Sequence, residues 1–389
     1  MALIKCSECG KEISSNAKKC PHCGINVNLV KCPECGAKLN GDESTCPECG
    51  FPVNKKNATG VIFENLDKIT GAKSKSYVTF KDLFKNTFKK HSEEELDELF
   101  TCGSDKTTPD IKDIDVKNAS AWVYFKIFVF FILAYIPTRI GYLVYGNLNC
   151  LPGMVVLGAF AVPVTILIFF FEINLFRNIP FYKVIKYFIL GGALSLIIAL
   201  LFFSLDINTD ISTYTGALMV GLIEEIPKAT VVALFLAKRK KSSYILDGLL
   251  VGAAVGAGFA AFETAGYILR HGLVNGVDNI YGASAMLNII KLRGFLAPGG
   301  HVAWAAIEGA ALMYVKGFEP LNKKHYNDKR FLLMCLIPIL LHGIWDMPIP
   351  SPYYIVQIIL TFLAWIVIIY FINLGLKQIE EAKEAGIKR

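Results

Sequence analysis

Residues 214–237 read YTGALMVGLIEEIPKATVVALFLA. The run is long enough to cross a hydrocarbon core of ~30 Å and is apolar at both ends. Yet Glu224, Glu225 and Lys228 sit at its centre. Ionisable side chains at that depth cost several kcal/mol and persist where they face protein or a wet cavity, so function is their default reading.

Similar apolar runs fill the chain on either side. Of its 389 residues 53% are hydrophobic and 12% aromatic. That is too apolar for a soluble protein of this size and fits an all-α polytopic membrane protein. Eight segments are expected to span, at about 122–145, 152–173, 184–205, 213–237, 244–269, 295–315, 331–347 and 353–376. Residues 1–120 are polar and lysine-rich instead. The expected organisation is a zinc ribbon at 1–26, a second at 27–54, a linker at 55–120, the membrane domain at 121–376 and a cytoplasmic tail at 377–389. No cleavable signal peptide is visible, because Met1 to Lys5 leads straight into cysteine motifs. The net charge of +7 calls for no nucleic-acid partner, since lysine and arginine gather in the head, the linker and alternate loops. That alternation places both termini in the cytoplasm, with one blemish at 270–294, which holds Arg270, Lys291 and Arg293.

Eight of the eleven cysteines fall within the first 49 residues. Cys6, Cys9, Cys20 and Cys23 form two C-x-x-C-G knuckles, and Cys32, Cys35, Cys46 and Cys49 repeat them at an offset of 26. Each knuckle aims two thiolates at one point, and its glycine (Gly10, Gly24, Gly36 or Gly50) permits the turn. Two knuckles close a tetrahedral four-sulfur site, so two structural zinc ions are expected. A disulfide framework is the competing reading, and paired knuckles favour metal over bridges. His22 is a bystander, because four sulfurs saturate the ion. Cys102, Cys150 and Cys335 read as ordinary residues. An unknown protein partner of the ribbons is expected.

In the linker, Phe80, Leu83, Phe84 and Phe88 recur at helical spacing among lysines. They suggest a basic amphipathic helix on the lipid bilayer, or one packed on the head or another protein. Ser92 with Glu95 reads as a capping box opening a helix to Phe100.

Four later segments carry ionisable groups: Glu224, Glu225 and Lys228; Glu263 with Tyr267; His301 and Glu308; His342 with Asp346. Glu263 and Tyr267 share a helix face, as do His342 and Asp346. Measured from the expected outer helix ends, Glu224 lies roughly 16 Å deep, and Glu263, His301 and His342 lie within about two turns. One wet cavity opening away from the cytoplasm can therefore gather all four. Gly248, Gly252 and Gly256 allow a close helix approach on nearly the face that carries Glu263. Arg139 reads as snorkelling outward and Glu172 as interfacial.

Two mechanisms suit these residues. In one, His301, His342 and a carboxylate (Glu263 or Asp346) hold a catalytic metal and Glu224 is the general base. In the other, Glu224 and a histidine activate water without metal. Glu225 supports either. Gly282-Ala-Ser284-Ala is a weak serine-nucleophile lookalike, read as a loop or helix-cap serine.

The stretches Glu224-Glu-Ile-Pro-Lys228, Phe262-Glu263-Thr-Ala-Gly-Tyr267, Ala297-Pro-Gly-Gly-His301 and His342-Gly-Ile-Trp-Asp346 resemble the motif set of the PrsW family of intramembrane proteases. These are relatives of the CAAX-protease and bacteriocin-processing superfamily. The resemblance covers about residues 120–376. It implies a peptidase with Glu224, Glu225, Glu263, His301 and His342 as the site, and a membrane-bound protein substrate, an anti-sigma factor in the best-known members. The wider superfamily has arginine where Lys228 stands. An ion-coupled transporter or channel using the same carboxylates is the alternative, which the absence of an apparent inverted repeat weakens.

Overall fold

The computed structural model describes residues 3–5, 9–14, 20–23, 30–31, 36, 38–39 and 48, and all of 58–387 except 75–76, 105, 206 and 240–243. The chain divides into two compact units, Met1–Glu64 and Asn65–Arg389.

In the first unit, β1 (Leu3–Lys5) pairs antiparallel with β2 (Glu12–Ser14), and β3 (Val30–Lys31) with β4 (Lys38–Leu39). The second hairpin thus repeats the first. Gly10 and Gly36 take φ of +70° and +73°, a left-handed backbone that a side chain would strain. Cys9 Sγ lies 3.6 Å from Cys20 Sγ, and Cys23 joins them within 4.8 Å. Three sulfurs of one module therefore meet inside that module. Cys6, Cys32, Cys35, Cys46 and Cys49 lie outside the described residues.

Helices dominate the rest. They are α1 (Ala58–Thr70), α2 (Phe80–Leu83), α3 (Glu93–Phe100), α4 (Val123–Leu143), α5 (Leu151–Ile173), α6 (Phe181–Lys186), α7 (Gly192–Phe203), α8 (Tyr214–Ala237), α9 (Ile245–Asn275), α10 (Ile280–Leu296), α11 (His301–Lys316), α12 (Lys323–Tyr326), α13 (Lys329–Asp346) and α14 (Ile355–Glu384). Five stretches are long and apolar enough to span a membrane: those containing α4, α5, α6 with α7, α9, and α14. The expected eight is thus a larger number than length and apolarity alone support. The remaining three candidates fall short through charge or length. α8 carries Glu224, Glu225 and Lys228, α13 carries Lys329, Arg330 and Asp346, and α11 has 16 residues.

The loop expected at 270–294 is mostly helix. α9 runs on to Asn275, and Asn279 then caps α10 by accepting from the backbone N–H of Tyr281 and Gly282. Ser284 is therefore an exposed residue within α10, neither a loop nor a cap serine. A 3-10 turn at Ala297–Gly299 joins α10 to α11. At ~1.5 Å per residue α9 is roughly 46 Å long, and the broken pair α10–α11 packs along it. Glu263 and His301 consequently sit farther from the end of α9 than helices ending at 269 and starting at 295 would place them.

The glycine stripe sets the antiparallel register of α9 against α11. A Cβ on Gly248 would fall on the carbonyl of Gly309, one on Gly252 on that of Ala305, and one on Gly256 on that of His301. α8 and α13 meet the same way, at Gly221 and Gly343. Small residues let membrane helices approach until backbones touch. Here both close contacts lie beside the polar residues.

Residues 65–120 belong to the helical unit and are not a free linker. Only Phe80–Leu83 of the aromatic stripe is helical. Leu83 is fully buried, and Phe84 stacks on Phe169 of α5 with ring centroids 5.2 Å apart. Asn373 of α14 accepts from the N–H groups of Tyr77 and Val78 and donates to the Val78 carbonyl. The capping box of α3 is present: Ser92 Oγ accepts from Glu95 N–H, and Glu95 accepts from Ser92 N–H. Glu172, at the end of α5, accepts from the N–H groups of Trp122, Val123 and Tyr124 and so caps α4.

Gly252→Ala should lower the unfolding midpoint in detergent, because overpacking typically costs about 1–3 kcal/mol. Gly266→Ala, whose added methyl would meet no atom within 4 Å, should not. Thermal unfolding of the two variants side by side checks this.

Candidate active site

α8, α9, α11 and α13 bring their ionisable groups together. Glu224 and Glu225 are adjacent on α8 and point apart, as ~100° per residue requires. Glu224 lines a cavity of about 510 Å³ together with Glu263, His301, His342 and Asp346. Glu225 is fully buried behind it, as is Lys228, one turn on.

The two imidazoles are held by different partners at their two nitrogens. Lys228 Nζ lies 2.8 Å from His301 Nδ1. Lysine only donates, so Nδ1 carries the lone pair and Nε2–H donates to Glu263 Oε2 at 3.0 Å. His342 Nδ1 lies 2.6 Å from Glu225 Oε1. With Nδ1–H donating there, His342 Nε2 faces Asp346 Oδ2 at 3.3 Å and Glu224 Oε2 at 3.8 Å. His301 Nδ1 is 4.0 Å from the same Glu224 oxygen. Both rings therefore turn one nitrogen toward Glu224 and the other toward a carboxylate that fixes their orientation. Trp304, one turn beyond His301, stacks on His342 with centroids 4.4 Å apart.

Sequence reasoning missed Arg293. Counted as a loop charge, it lies on α10 and lines the cavity. It pairs with Glu263, donates from Nε to Thr264 Oγ1 at 2.8 Å, and rests 4.7 Å from the Tyr267 ring centroid. Tyr267 thus supports Glu263 through Arg293. The signal available in the sequence was the Asn279 cap ahead of a helix-length run. The turn before His301 is fastened from α14: Trp365 Nε1 donates to the Pro298 carbonyl at 2.9 Å, and a Cβ on Gly299 would strike Thr361. Glu308, one turn past Trp304, is buried, and neither carboxyl oxygen has a hydrogen-bond partner among the described residues.

A divalent ion fits this donor set. One oxygen of Glu224 and one nitrogen each of His301 and His342 lie within 4.8 Å of one another. Each histidine has an orienting carboxylate on its far nitrogen, as metal-binding histidines do. Among the described residues, four carboxylates (Glu224, Glu225, Glu263, Asp346) face two fixed cations, Lys228 and Arg293, so a divalent ion would balance the remaining charge. Glu263, weighed above as a ligand, meets the opposite nitrogen of His301 and stands behind the ring.

Against known proteins, the profile of the PrsW family intramembrane metalloprotease matches residues 179–373. The chain belongs to the PrsW family. A double zinc ribbon profile matches residues 6–50. The Protease PrsW of Clostridioides difficile is 28% identical over 200 residues, covering 50% of this chain and 78% of that protein. That of Oceanobacillus iheyensis is 24% identical over 195 residues, covering 49% and 82%. That of Halalkalibacterium halodurans is 27% identical over 129 residues, covering 33% and 51%. No solved structure matches the chain. The PrsW match spans every helix of the cluster, α8 to α13, and identifies an integral-membrane protease; the double zinc ribbon match identifies a zinc-ribbon head.

Removing Arg293 should release Glu263 and loosen His301. Arg293→Gln is expected to lower cleavage about 10- to 100-fold, the usual cost of losing an orienting partner. Turnover of a membrane substrate measures it, and an unchanged rate would contradict the assigned role.

Proposed function

We propose that the chain hydrolyses a peptide bond of a membrane-bound protein, with water activated at Glu224 between His301 and His342. One observation carries the reading: Glu224 Oε2 lies 3.8 Å from His342 Nε2 and 4.0 Å from His301 Nδ1, and all three residues line one cavity of about 510 Å³. Glu224 accepts the proton of the attacking water and returns it to the leaving amine. Glu225 holds His342, Glu263 holds His301, and Arg293 holds Glu263. Asp346 lines the cavity within hydrogen-bond reach of His342. If a metal were held by Glu224, His301 and His342, it would supply the activation instead, polarising the scissile carbonyl and acidifying water, and Glu224 would serve as a ligand and not as the base.

The cavity wall includes Thr209 and Ile211, from the stretch joining α7 to α8. That stretch, 206–212, has no lysine or arginine, whereas the opposite ends of the same helices lead into Lys183, Lys186 and Lys238-Arg239. By the positive-inside rule the cavity opens away from the cytoplasm and both termini lie in it. The ribbons, one zinc in each of 1–26 and 27–54, then face a cytoplasmic protein partner.

Glu224→Gln and His301→Ala should each reduce cleavage of a reconstituted membrane substrate by at least about 100-fold while leaving the protein folded. Cleavage at the wild-type rate in either variant would end the assignment. In the head, Cys20→Ser should lower zinc by about one ion per chain in elemental analysis, since three thiolates close a site far less well than four. An unchanged zinc content would remove the first module's site.

A further inference from the structure

Lys228 occupies an unusual place in this cluster. Its ammonium is fully buried, 2.7 Å from Glu225 Oε1, 2.8 Å from His301 Nδ1 and 3.6 Å from Glu224 Oε2. It also lies 4.0 Å from the Phe259 ring centroid. Two of the three atoms that would ligate an ion, Glu224 Oε2 and His301 Nδ1, are thus within reach of a cation belonging to the chain itself. His301 Nδ1 has a single lone pair, which it can give to the ammonium or to a metal but not to both.

We propose that Lys228 competes with the divalent ion for His301. With no ion bound, the ammonium pairs with Glu225 and Glu224 and holds His301 beside them. When an ion binds, Lys228 gives up His301 and stays paired with Glu225 and stacked on Phe259. The spacing makes this exchange available. Lys228 is three residues from Glu225 and four from Glu224 on one helix, so it cannot leave the cluster. Its unbranched stem lets the charge swing by an ångström or two, which a planar guanidinium could not do without losing its paired geometry. The consequence is a site that binds its metal more weakly and releases it more readily than the donor set alone would. This rests on the donor set argued above, and the test separates the two.

The probe is Co²⁺ added to the full-length, zinc-loaded protein in detergent. Cobalt in an oxygen and imidazole site gives weak visible bands without the intense near-ultraviolet thiolate absorption that ribbon cysteines would add. His301→Ala defines the background. Lys228→Met should bind cobalt at the His301-dependent site at least tenfold more tightly than wild type, independently of any activity. Should Lys228→Met fail to fold because Glu225 is left unpaired, Glu225→Gln/Lys228→Met compared with Glu225→Gln alone asks the same question. A His301-dependent site whose affinity is unchanged or weaker without Lys228 overturns the competition and leaves the donor set standing. If no His301-dependent site appears in any variant, the donor set falls and the competition with it.

Discussion

The site depends on backbone-to-backbone contact between α9 and α11. Each glycine of the stripe at 248, 252 and 256 meets a carbonyl of α11, and the last of those carbonyls belongs to His301. A methyl group at any of the three would push the helices apart and carry the imidazole away from Glu263 and Glu224. The contact of α8 with α13 at Gly221 and Gly343 does the same for His342, the residue next to Gly343. Packing in the membrane cannot draw on a hydrophobic drive between helices, so van der Waals fit at small residues and interhelical polar bonds carry the association. Here both sit within a turn or two of each other, and the polar cluster is part of what holds its own helices together.

Buried charge gives the cluster its order. Lys228, Glu225 and His342 form one run of short contacts, and Arg293, Glu263 and His301 form another. Lys228 and His301, 2.8 Å apart, join the two runs, and both imidazoles face Glu224, a carboxylate that lines the cavity and whose Oε2 has no hydrogen-bond partner among the described residues. Adjacent carboxylates thereby acquire different work. One is committed to orienting an imidazole and the other is left available. Removing one partner from such a network leaves an uncompensated buried charge, which is costly. The protein therefore has a reason to keep the orienting residues apart from the chemistry.

Much of this was legible in the sequence. Apolar runs gave a helical membrane protein, though not the count of eight spans, the capping box gave α3, and the four short motifs gave residues that meet. What stayed hidden depends on contacts between distant segments. The amphipathic stripe at Phe80–Phe84 carries no mark that its face is covered by Phe169 and Trp365, and it folds onto the helical unit. Arg293 looked like a loop charge because α10 contains Gly282 and Gly294 and breaks at Pro298, features that end a helix in most contexts. The division of labour between Glu224 and Glu225 follows from which neighbours each meets, and spacing within one helix says nothing about that. The same holds for the two nitrogens of His301, which only their partners distinguish.

The central claim is that Glu224 of α8 and His342 of α13 act as one unit at one reacting centre. The direct measurement is a double-mutant cycle on the cleavage rate of a reconstituted membrane substrate with Glu224→Gln, His342→Ala and the pair. Residues that act together are strongly non-additive, so the double variant should be no slower than the slower single variant. Losses that multiply, as for independent sites, would contradict the account.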